Sequence, residues 1–192
     1  MSSSTTCGEL TDSSVFGTLV GERPLQTGLR TLELGVTTHL ITSWHLAPLL
    51  VEQGRGLLIE VTDAAEGGDG YREDLYYDLA KYAVQRLAIG QAVELRPYGV
   101  AVVCVTPGFL RSEAVLEHLG VTEEDWRERA RHDATFVYSE TPRYLGRGVA
   151  ALATDPDVMK KTGQLFASWD LAEEYDFTDL TGDRPNWLRG TR

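Results

Sequence analysis

Apolar residues recur at helical spacing over residues 29–51, in the row LRTLELGVTTHLITSWHLAPLLV. Leucine, valine, isoleucine and tryptophan side chains fall every three or four positions along it, which predicts a helix. Pro48 stands late in this row, where a proline kinks a helix or lies near its end. The row RGLLIEVTD follows. It is short, apolar and flanked by glycines, which predicts a strand that is buried on both faces.

A second helix and a second strand are predicted next along the chain. The row LYYDLAKYAVQRLAIGQAVEL has the helical period, and the proline and glycine of RPYG mark its end. Its apolar side is predicted to consist of Leu79, Ala83, Leu87 and Val93. The continuous apolar row VAVVCVTPG begins at once, which is typical of a buried strand.

The last third of the chain predicts a polar helical segment, a third helix and a third strand. The row TEEDWRERARHD indicates a solvated helix face that is anchored by Trp126. Thr141 is predicted to cap the third helix with Pro142 at its first position, and the strand lies near GQLFASW. Because helices and strands alternate, we predict an α/β fold in which helices flank a parallel sheet of about three strands.

Size and charge limit the classes of protein to which this chain can belong. Its 192 residues suit one domain with a sizeable core, and 18 basic against 29 acidic residues leave a net charge of −11. Such an acidic surface repels nucleic acid and anionic membranes, so neither is expected as a partner. No apolar stretch reaches the roughly 20 residues of a membrane span. The two cysteines, Cys7 and Cys104, make no disulfide framework.

The N-terminal row MSSSTTCGELTDSS lacks the basic and apolar regions of a secretory signal. Together with the low cysteine content, this predicts a reduced, cytoplasmic location. The row is polar, so we expect residues 1–28 to form a lead-in and residues 29–192 to form a single α/β domain.

Tyr77 and Lys81 stand four residues apart at the start of the second predicted helix. Residues at this spacing share one helix face, with Cβ atoms about 5 to 6 Å apart. A phenol with an ordinary pKa of about 10 is a poor base at neutral pH, and an adjacent ammonium favours the phenolate. The pair indicates acid-base chemistry on an alcohol or carbonyl oxygen, although Y-x-x-x-K also arises by chance. The preceding strand ends at Asp63, so helix start and strand end are expected to meet at the carboxyl edge of the sheet.

Over residues 29–179 the chain resembles the short-chain dehydrogenase/reductases. The row YDLAKYAVQRLAIGQAVELRPYGVAVVCVTPGFLRSE is similar to that family's catalytic helix, next strand and Pro-Gly turn. The row GRGLLIEVTD is similar to the strand that ends at the family's catalytic serine. The resemblance implies a partial Rossmann-like, doubly wound domain.

The resemblance also implies roles for particular residues. Tyr77 would give or take the proton, and Lys81 would favour its phenolate and hold the nicotinamide ribose of NAD(P). Pro107 and Gly108 would line the nicotinamide pocket, and Ser112 stands where the family usually has a threonine that touches the carboxamide. The row TEEDWRERARHD would then form a lid over the substrate instead of a solvated face.

Two positions depart from the family's pattern. Asp63 stands where the substrate-orienting serine is expected, and an ionised carboxylate cannot donate a hydrogen bond as a serine does. Thr62 is the nearest hydroxyl, so both residues join Tyr77 and Lys81 as candidate catalytic residues. Gly35 stands where the first helix usually carries a catalytic asparagine.

The family's glycine-rich loop, T-G-x-x-x-G-x-G, binds the cofactor pyrophosphate at a helix N-terminus. The row TGLRTLELG begins correctly but has Leu32 and Leu34 at the glycine positions. The row EGGDG would repel a phosphate through Glu66 and Asp69. The resemblance therefore indicates a truncated member, limited to the C-terminal catalytic part, in which NAD(P) binding is an open question.

Three functions remain open at this point. The first is NAD(P)-dependent carbonyl or alcohol redox on a small-molecule substrate. The second is a non-catalytic or partner-dependent subunit, because a bare edge of the first strand would pair with another chain. The third is a cofactor-independent isomerase or lyase that uses Tyr77 and Lys81, with Asp63 as a further proton-transfer group. We also expect a homo-oligomer or a partner subunit of the same family, since the family packs the helices that match residues 29–51 and 75–96 against their copies.

Other residues with metal-binding or stacking chemistry are assigned to packing. His39 and His45 are six apart, which suits neither one helical face nor a metal pair, and His118 and His132 have no ligand cluster near them. No metal site is predicted. Three tryptophans are expected to pack instead of stacking on a cofactor: Trp44, Trp169 and Trp187.

Overall fold

The structure is a computed structural model, and it describes residues 19, 21–63, 71, 74–131 and 135–189. In chain order its helices and strands are α1 (Leu25–Leu32), α2 (Thr38–Gln53), β1 (Gly56–Val61), α3 (Leu75–Leu95), β2 (Val100–Thr106), α4 (Glu113–Leu119), α5 (Trp126–Ala130), α6 (Pro142–Thr154), β3 (Leu165–Ala167) and α7 (Ser168–Glu174). The strands form one parallel sheet in the order β1-β2-β3. The predicted α/β class, with three parallel strands flanked by helices, is confirmed.

The chain divides into two compact units. The first contains the described residues up to Cys104 and Met159–Leu165, and the second contains those of Val105–Val158 and Phe166–Arg192. The expected boundary at residue 29 falls inside α1, which begins at Leu25. Residues 1–18 and 20 lie outside the described part, so a lead-in followed by one domain stays a prediction.

The first predicted helix consists of three joined helical stretches. α1 runs into a π-helical segment, Glu33–Thr37, which runs into α2. Gly35 lies in the π-helical segment, where an added Cβ would come within 3.0 Å of the Cβ of Ala80 on α3. α2 passes Pro48 and ends at Gln53, because Gly54 adopts a left-handed φ of 65° that closes the helix.

The core of the first unit forms between α3, β1 and β2. Ala88 and Ala92 of α3 lie in one buried cluster with Leu58 of β1 and Val100 and Val102 of β2. β2 is buried along its whole length, as its continuous apolar row predicts. Alanine side chains allow a helix to approach a sheet closely, and this explains why α3 buries its smallest residues.

The predicted apolar side of α3 is wrong. Leu79 is 47% exposed and Val93 is 72% exposed. The buried side carries residues at four-residue intervals: Ala80, Val84, Ala88 and Ala92. Leu79 and Val93 therefore remain at the surface, whereas Leu95, at the end of α3, is buried.

The prediction that β1 is buried on both faces is wrong. Leu58 and Glu60 are buried, whereas Val61 is 44% exposed. Glu60 pairs with Nδ1 of His39 at 2.6 Å and accepts a hydrogen bond from Ser43 Oγ at 3.0 Å. Burial raises the pKa of Glu60, but the hydrogen bonds outweigh burial and leave that pKa below its ordinary value. A buried carboxylate needs such partners, and they come from α2.

The second unit has an aromatic core and a buried arginine. Trp126 and Phe136 are buried together, with Phe109 packed against them. The guanidinium of Arg111 lies 3.9 Å from the Trp126 ring centroid and donates a hydrogen bond to the carbonyl of Ser139 at 2.5 Å. In α5, Trp126 and Ala130 are buried and the residues between them are exposed, and a lid role for this segment stays a prediction. α4 is not predicted by the sequence. α6, in contrast, begins with the predicted cap at Thr141 and the predicted proline at Pro142.

Candidate active site

Tyr77 lies in the first turn of α3, and the side chain of Asp74 caps that turn. Asp74 Oδ1 accepts a hydrogen bond from the backbone N–H of Tyr77 at 2.8 Å. The other oxygen of Asp74 forms an ion pair with Arg23, and both side chains are buried. Arg23 also donates to Thr31 Oγ1 at 3.3 Å. The start of α3 is therefore bound to the segment around α1.

Three predicted catalytic residues meet where β1 ends. The ammonium nitrogen of Lys81 lies 5.0 Å from the ring centroid of Tyr77. Asp63 follows β1 by two residues, and its Oδ2 accepts a hydrogen bond from Tyr77 Oη at 3.2 Å. A phenol, an ammonium and a carboxylate are thus brought together, which is a set of groups that can move a proton.

Thr62, the fourth predicted catalytic residue, makes a different contact. It is buried, and its hydroxyl donates to the backbone carbonyl of Lys81 at 2.8 Å. This bond joins the end of β1 to the second turn of α3. The hydroxyl therefore acts on the position of Lys81, and a catalytic role for Thr62 stays a prediction.

The predicted cofactor residues Pro107, Gly108 and Ser112 lie in the second unit, whereas Tyr77 and Lys81 lie in the first. Ser112 caps α4 and accepts a hydrogen bond from the backbone N–H of Val115 at 3.3 Å. Contact of these three residues with a nicotinamide stays a prediction.

Gly108 is enclosed by side chains of its own unit. An added Cβ would lie 3.1 Å from Glu140 Oε2, 3.1 Å from Trp187 Cβ and 3.4 Å from Trp169 Cζ3. Only glycine fits this turn without displacing its neighbours. Trp169 and Trp187 pack against the turn, as predicted, while Trp44 is 74% exposed and the packing predicted for it is wrong.

Glu140 is a buried acid that sequence reasoning missed. Its Oε2 accepts hydrogen bonds from the backbone N–H of Gly108 at 3.0 Å and from Ser168 Oγ at 2.5 Å. Its Oε1 and the hydroxyl of Tyr144 are buried without a hydrogen-bond partner in the described part of the chain. Burial raises the pKa of Glu140 to about 7, although the bonds from Ser168 and Gly108 act in the opposite direction. The one sequence signal is an acidic residue directly before a Thr-Pro helix start.

The described residues suit the nicotinamide ribose of a dinucleotide better than its pyrophosphate. The hydroxyl of Tyr77 and the ammonium of Lys81 lie side by side, and such groups bind ribose hydroxyls. The N-terminus of α3, in contrast, already holds the carboxylate of Asp74, which repels a phosphate. Within the described ranges no glycine-rich loop leads into a helix to receive a pyrophosphate.

The part of the chain that the structure describes offers neither a metal cluster nor a membrane-spanning helix. It contains no group of three His, Cys, Asp or Glu side chains that could hold a metal ion. None of its helices combines the length and the apolar character that crossing a membrane requires.

The structure is an α/β protein with a parallel sheet and flanking helices, and Tyr77, Lys81 and Asp63 lie together beyond the end of β1. The family model described as short chain dehydrogenase matches residues 21–119. Dehydrogenase/reductase SDR family member 1 from Mus musculus is 34% identical over 152 residues, and its counterpart from Homo sapiens is 32% identical over 151 residues. The chain belongs to the short-chain dehydrogenase family.

These alignments cover 78% of the chain and 47% of each relative, so the chain spans about half the length of the curated relatives that it matches. A solved structure from Beutenbergia cavernae, assigned as an NAD(P)-dependent gluconate 5-dehydrogenase, has a TM-score of 0.63 and 19% identity. The likeness covers 80% of this chain and 60% of that one. At this identity it shows the fold alone.

Proposed function

We propose that the chain takes part in NAD(P)-dependent reduction of a carbonyl, or oxidation of an alcohol, with Tyr77 as the proton-transfer group. The observation that carries this proposal is the position of the Lys81 ammonium, 5.0 Å from the Tyr77 ring centroid, beside the end of β1. Family membership supports it, and the Beutenbergia cavernae neighbour was solved with bound NADP.

The chain's own residues perform the acid-base part of this reaction. NAD(P), when bound, supplies or accepts the hydride. Tyr77 Oη gives its proton to the carbonyl oxygen during reduction, or takes the proton of the hydroxyl group during oxidation. The positive charge of Lys81 favours the phenolate that remains on Tyr77 after donation.

Asp63 constrains this mechanism. Tyr77 donates its hydroxyl hydrogen to Asp63 Oδ2 at 3.2 Å, so the substrate oxygen must replace Asp63 as the acceptor. A family serine at this position would instead donate a second hydrogen bond to the substrate oxygen.

The same hydrogen bond favours a second candidate function, a cofactor-independent isomerase or lyase. In that reaction the Asp63 carboxylate removes a proton from the carbon next to a carbonyl, and Tyr77 donates its own proton to the carbonyl oxygen. The electron pair of the broken C–H bond forms the enol double bond. In a β,γ-unsaturated carbonyl compound, Asp63 then returns its proton to the γ carbon while the Tyr77 phenolate takes back the enol O–H proton. The carbonyl reforms, the carbon–carbon double bond has moved, and both residues regain their starting state.

We expect the chain alone to bind NADPH and NADH weakly, with dissociation constants above roughly 0.1 mM. The reason is that the Asp74 carboxylate occupies the start of α3 and no described loop supplies amides to the pyrophosphate. Calorimetric titration measures the affinity, and reduced nicotinamide mononucleotide is the matched control because it lacks the adenylate half. We expect it to bind about as well as NADH. A low-micromolar constant for either dinucleotide would contradict the expectation.

We further propose that the chain assembles through the apolar surface of α2 and α3. This surface consists of the exposed side chains of Leu40, Ile41, Trp44, Leu79 and Val93. Large apolar side chains exposed on two helices are candidates for an interaction site. We expect a dimer or larger assembly at micromolar concentration, which light scattering coupled to gel filtration measures.

The substitution Trp44→Glu tests which surface is used. It places a charge on the most exposed of these side chains, so the assembly should shift to a smaller species. Leu180→Glu is the matched control, since Leu180 is 52% exposed and belongs to the other unit. A monomeric parent chain, or an unchanged Trp44→Glu variant, would contradict the proposal.

A further inference from the structure

A cleft of about 640 Å³ lies within the second unit. α5, the turn that holds Val137 and Tyr138, and residues 179–185 line most of it. Cavities of roughly 300 to 1,000 Å³ are typical of small-molecule sites. Tyr77, Lys81 and Asp63 are not among its lining residues. The proposed proton transfer therefore does not explain what this cleft binds.

Four arginines line one cleft of a strongly acidic chain. Its charged lining residues are four arginines, Arg111, Arg127, Arg131 and Arg184, and two aspartates, Asp179 and Asp183. The chain as a whole carries a net charge of −11. Glu123 and Asp176, which pair with Arg111 and Arg184, bring the carboxylates at these arginines to four. An anionic ligand would therefore bind here by displacing carboxylates from the exposed guanidinium groups.

Arg111 lines the cleft, but its side chain is already engaged in contacts within the unit. Its side chain is 2% exposed and forms an ion pair with Glu123 at 2.8 Å. It also donates to the Ser139 carbonyl and lies against the ring of Trp126. These contacts fix the position of Arg111, so the other three arginines are the ones that can contact a ligand.

The remaining arginines are accessible. The side chain of Arg127 is 58% exposed and pairs with Asp183 at 3.4 Å, and that of Arg184 is 45% exposed and pairs with Asp176. Arg131 is exposed directly after the last residue of α5. Exposed ion pairs contribute only about 0 to 1 kcal/mol, so an incoming anion can compete for these guanidinium groups.

Apolar groups lie beside these charges. The ring of Trp126 has the guanidinium of Arg127 4.7 Å from its centroid, in addition to that of Arg111. Ala130, Val137 and Pro185 complete an apolar wall, and Val137 is 53% exposed. A ligand that fits both features has an anionic group and a short hydrocarbon body. Guanidinium groups bind carboxylate and phosphate oxygens in pairs, which suits either anion.

We propose that this cleft binds a small organic anion, with its carboxylate or phosphate held by the exposed arginines and its hydrocarbon body against Val137 and Pro185. The proposal goes beyond the redox function and does not depend on it.

Calorimetric titration of the whole chain with hexyl phosphate, hexanoate, hexanol and inorganic phosphate tests the ligand chemistry. We expect at least one of the two hexyl anions to bind at least about tenfold more tightly than hexanol and than inorganic phosphate, because only these anions use both the charges and the apolar wall. Preference for hexyl phosphate identifies a phosphate ligand, and preference for hexanoate identifies a carboxylate ligand.

Arg131→Gln and Arg184→Gln test the location. Each should weaken binding of the preferred anion by about tenfold through loss of a charged hydrogen-bond donor. Arg129→Gln is the matched control, because Arg129 is exposed on α5 but does not line the cleft, and it should bind like the parent. Equal affinity for hexanol, no binding of either anion, or equal losses in all three variants would overturn the proposal. These titrations use neither NAD(P) nor turnover, so their outcome is separate from that of the Tyr77 proposal.

Discussion

Replacing Tyr77 by phenylalanine is expected to lower turnover by a factor of about 100 or more, the usual contribution of a positioned acid-base group. The substitution removes one hydroxyl, which donates to Asp63 and lies beside the charge of Lys81. The ring remains, so loss of the hydrogen bond should cost only about 1 kcal/mol of stability. Turnover is measured on a panel of ketones and β-hydroxy carbonyl compounds, with and without NAD(P)H, and with a purified cofactor-binding partner if one is found.

Tyr76→Phe is the matched control for this experiment. Tyr76 precedes Tyr77 on α3, and its ring packs over Gly28 and near Arg23. Loss of its hydroxyl should leave turnover unchanged. If Tyr77→Phe turned over substrate as fast as Tyr76→Phe does, Tyr77 would have no acid-base role. Absence of activity in the parent chain under every condition, partner included, would favour a non-catalytic subunit.

Two further substitutions separate the candidate reactions. Lys81→Met removes the charge that favours the phenolate, so the pH profile of turnover should move to higher pH. Asp63→Ser restores a hydroxyl that can donate to a substrate oxygen, so it should improve a carbonyl reduction. The same change removes the carboxylate base, so it should abolish a cofactor-independent isomerisation. The direction of the Asp63→Ser effect therefore identifies the reaction.

Replacing Glu140 by glutamine is expected to remove a pH dependence from the stability of the chain. Burial raises the pKa of Glu140 from 4.5 to about 7, so the folded state holds this proton more tightly than the unfolded state does. The resulting stability is fully present below pH 4.5 and is lost as the pH rises through 7. The loss amounts to about 3 kcal/mol in the parent. A glutamine oxygen can still accept from Gly108 and Ser168, but it carries no proton to lose.

Urea unfolding at intervals between pH 4.5 and 8.5 measures this effect. The free energy of unfolding of Glu140→Gln should match that of the parent at the acid end and exceed it at the alkaline end. Glu117→Gln, at an exposed position of α4, should follow the parent throughout. Because other carboxylates also titrate in this range, the difference between variant and parent is the relevant quantity. A constant difference across the range would show that Glu140 does not titrate as described.

Elements with strong local signals were predictable from the sequence. β2 is a continuous apolar row that begins directly after a helix-ending glycine, and it is buried throughout. α6 has its cap and its proline at the predicted positions, Thr141 and Pro142. In these elements the chain's own propensities and the tertiary structure favour the same conformation.

Elements whose environment depends on distant residues were less predictable. The apolar residues of α3 occur on more than one side, and which side is buried depends on how closely Ala80 and Ala88 can approach their neighbours. Glu60 is buried in β1, where it is partnered by His39 and Ser43 of α2. The π-helical segment Glu33–Thr37 follows from packing and has no signature in the periodicity of apolar residues.

The candidate site shows the same division. Spacing alone indicates that Tyr77 and Lys81 share a helix face. The apolar row predicts a strand that ends at Asp63, and β1 ends two residues earlier, at Val61. Two contacts depend on how α3 packs against β1. They are the hydrogen bond from Tyr77 to Asp63 and the hydrogen bond from the Thr62 hydroxyl to the backbone of α3. The contacts of Glu140 with Gly108 and Ser168 join residues far apart in the chain, so no local pattern could indicate them.

The ion pair between Arg23 and Asp74 affects the entropy of the site. Tyr77 occupies the first turn of α3, and first turns are where helices fray most readily. One carboxylate oxygen of Asp74 accepts a hydrogen bond from that turn, and the other forms the ion pair with Arg23. The turn therefore cannot unwind without exposing a buried charge pair. In the proposed reaction the phenol is therefore preorganised before substrate binds, and less conformational freedom would be lost when it aligns with a reacting oxygen.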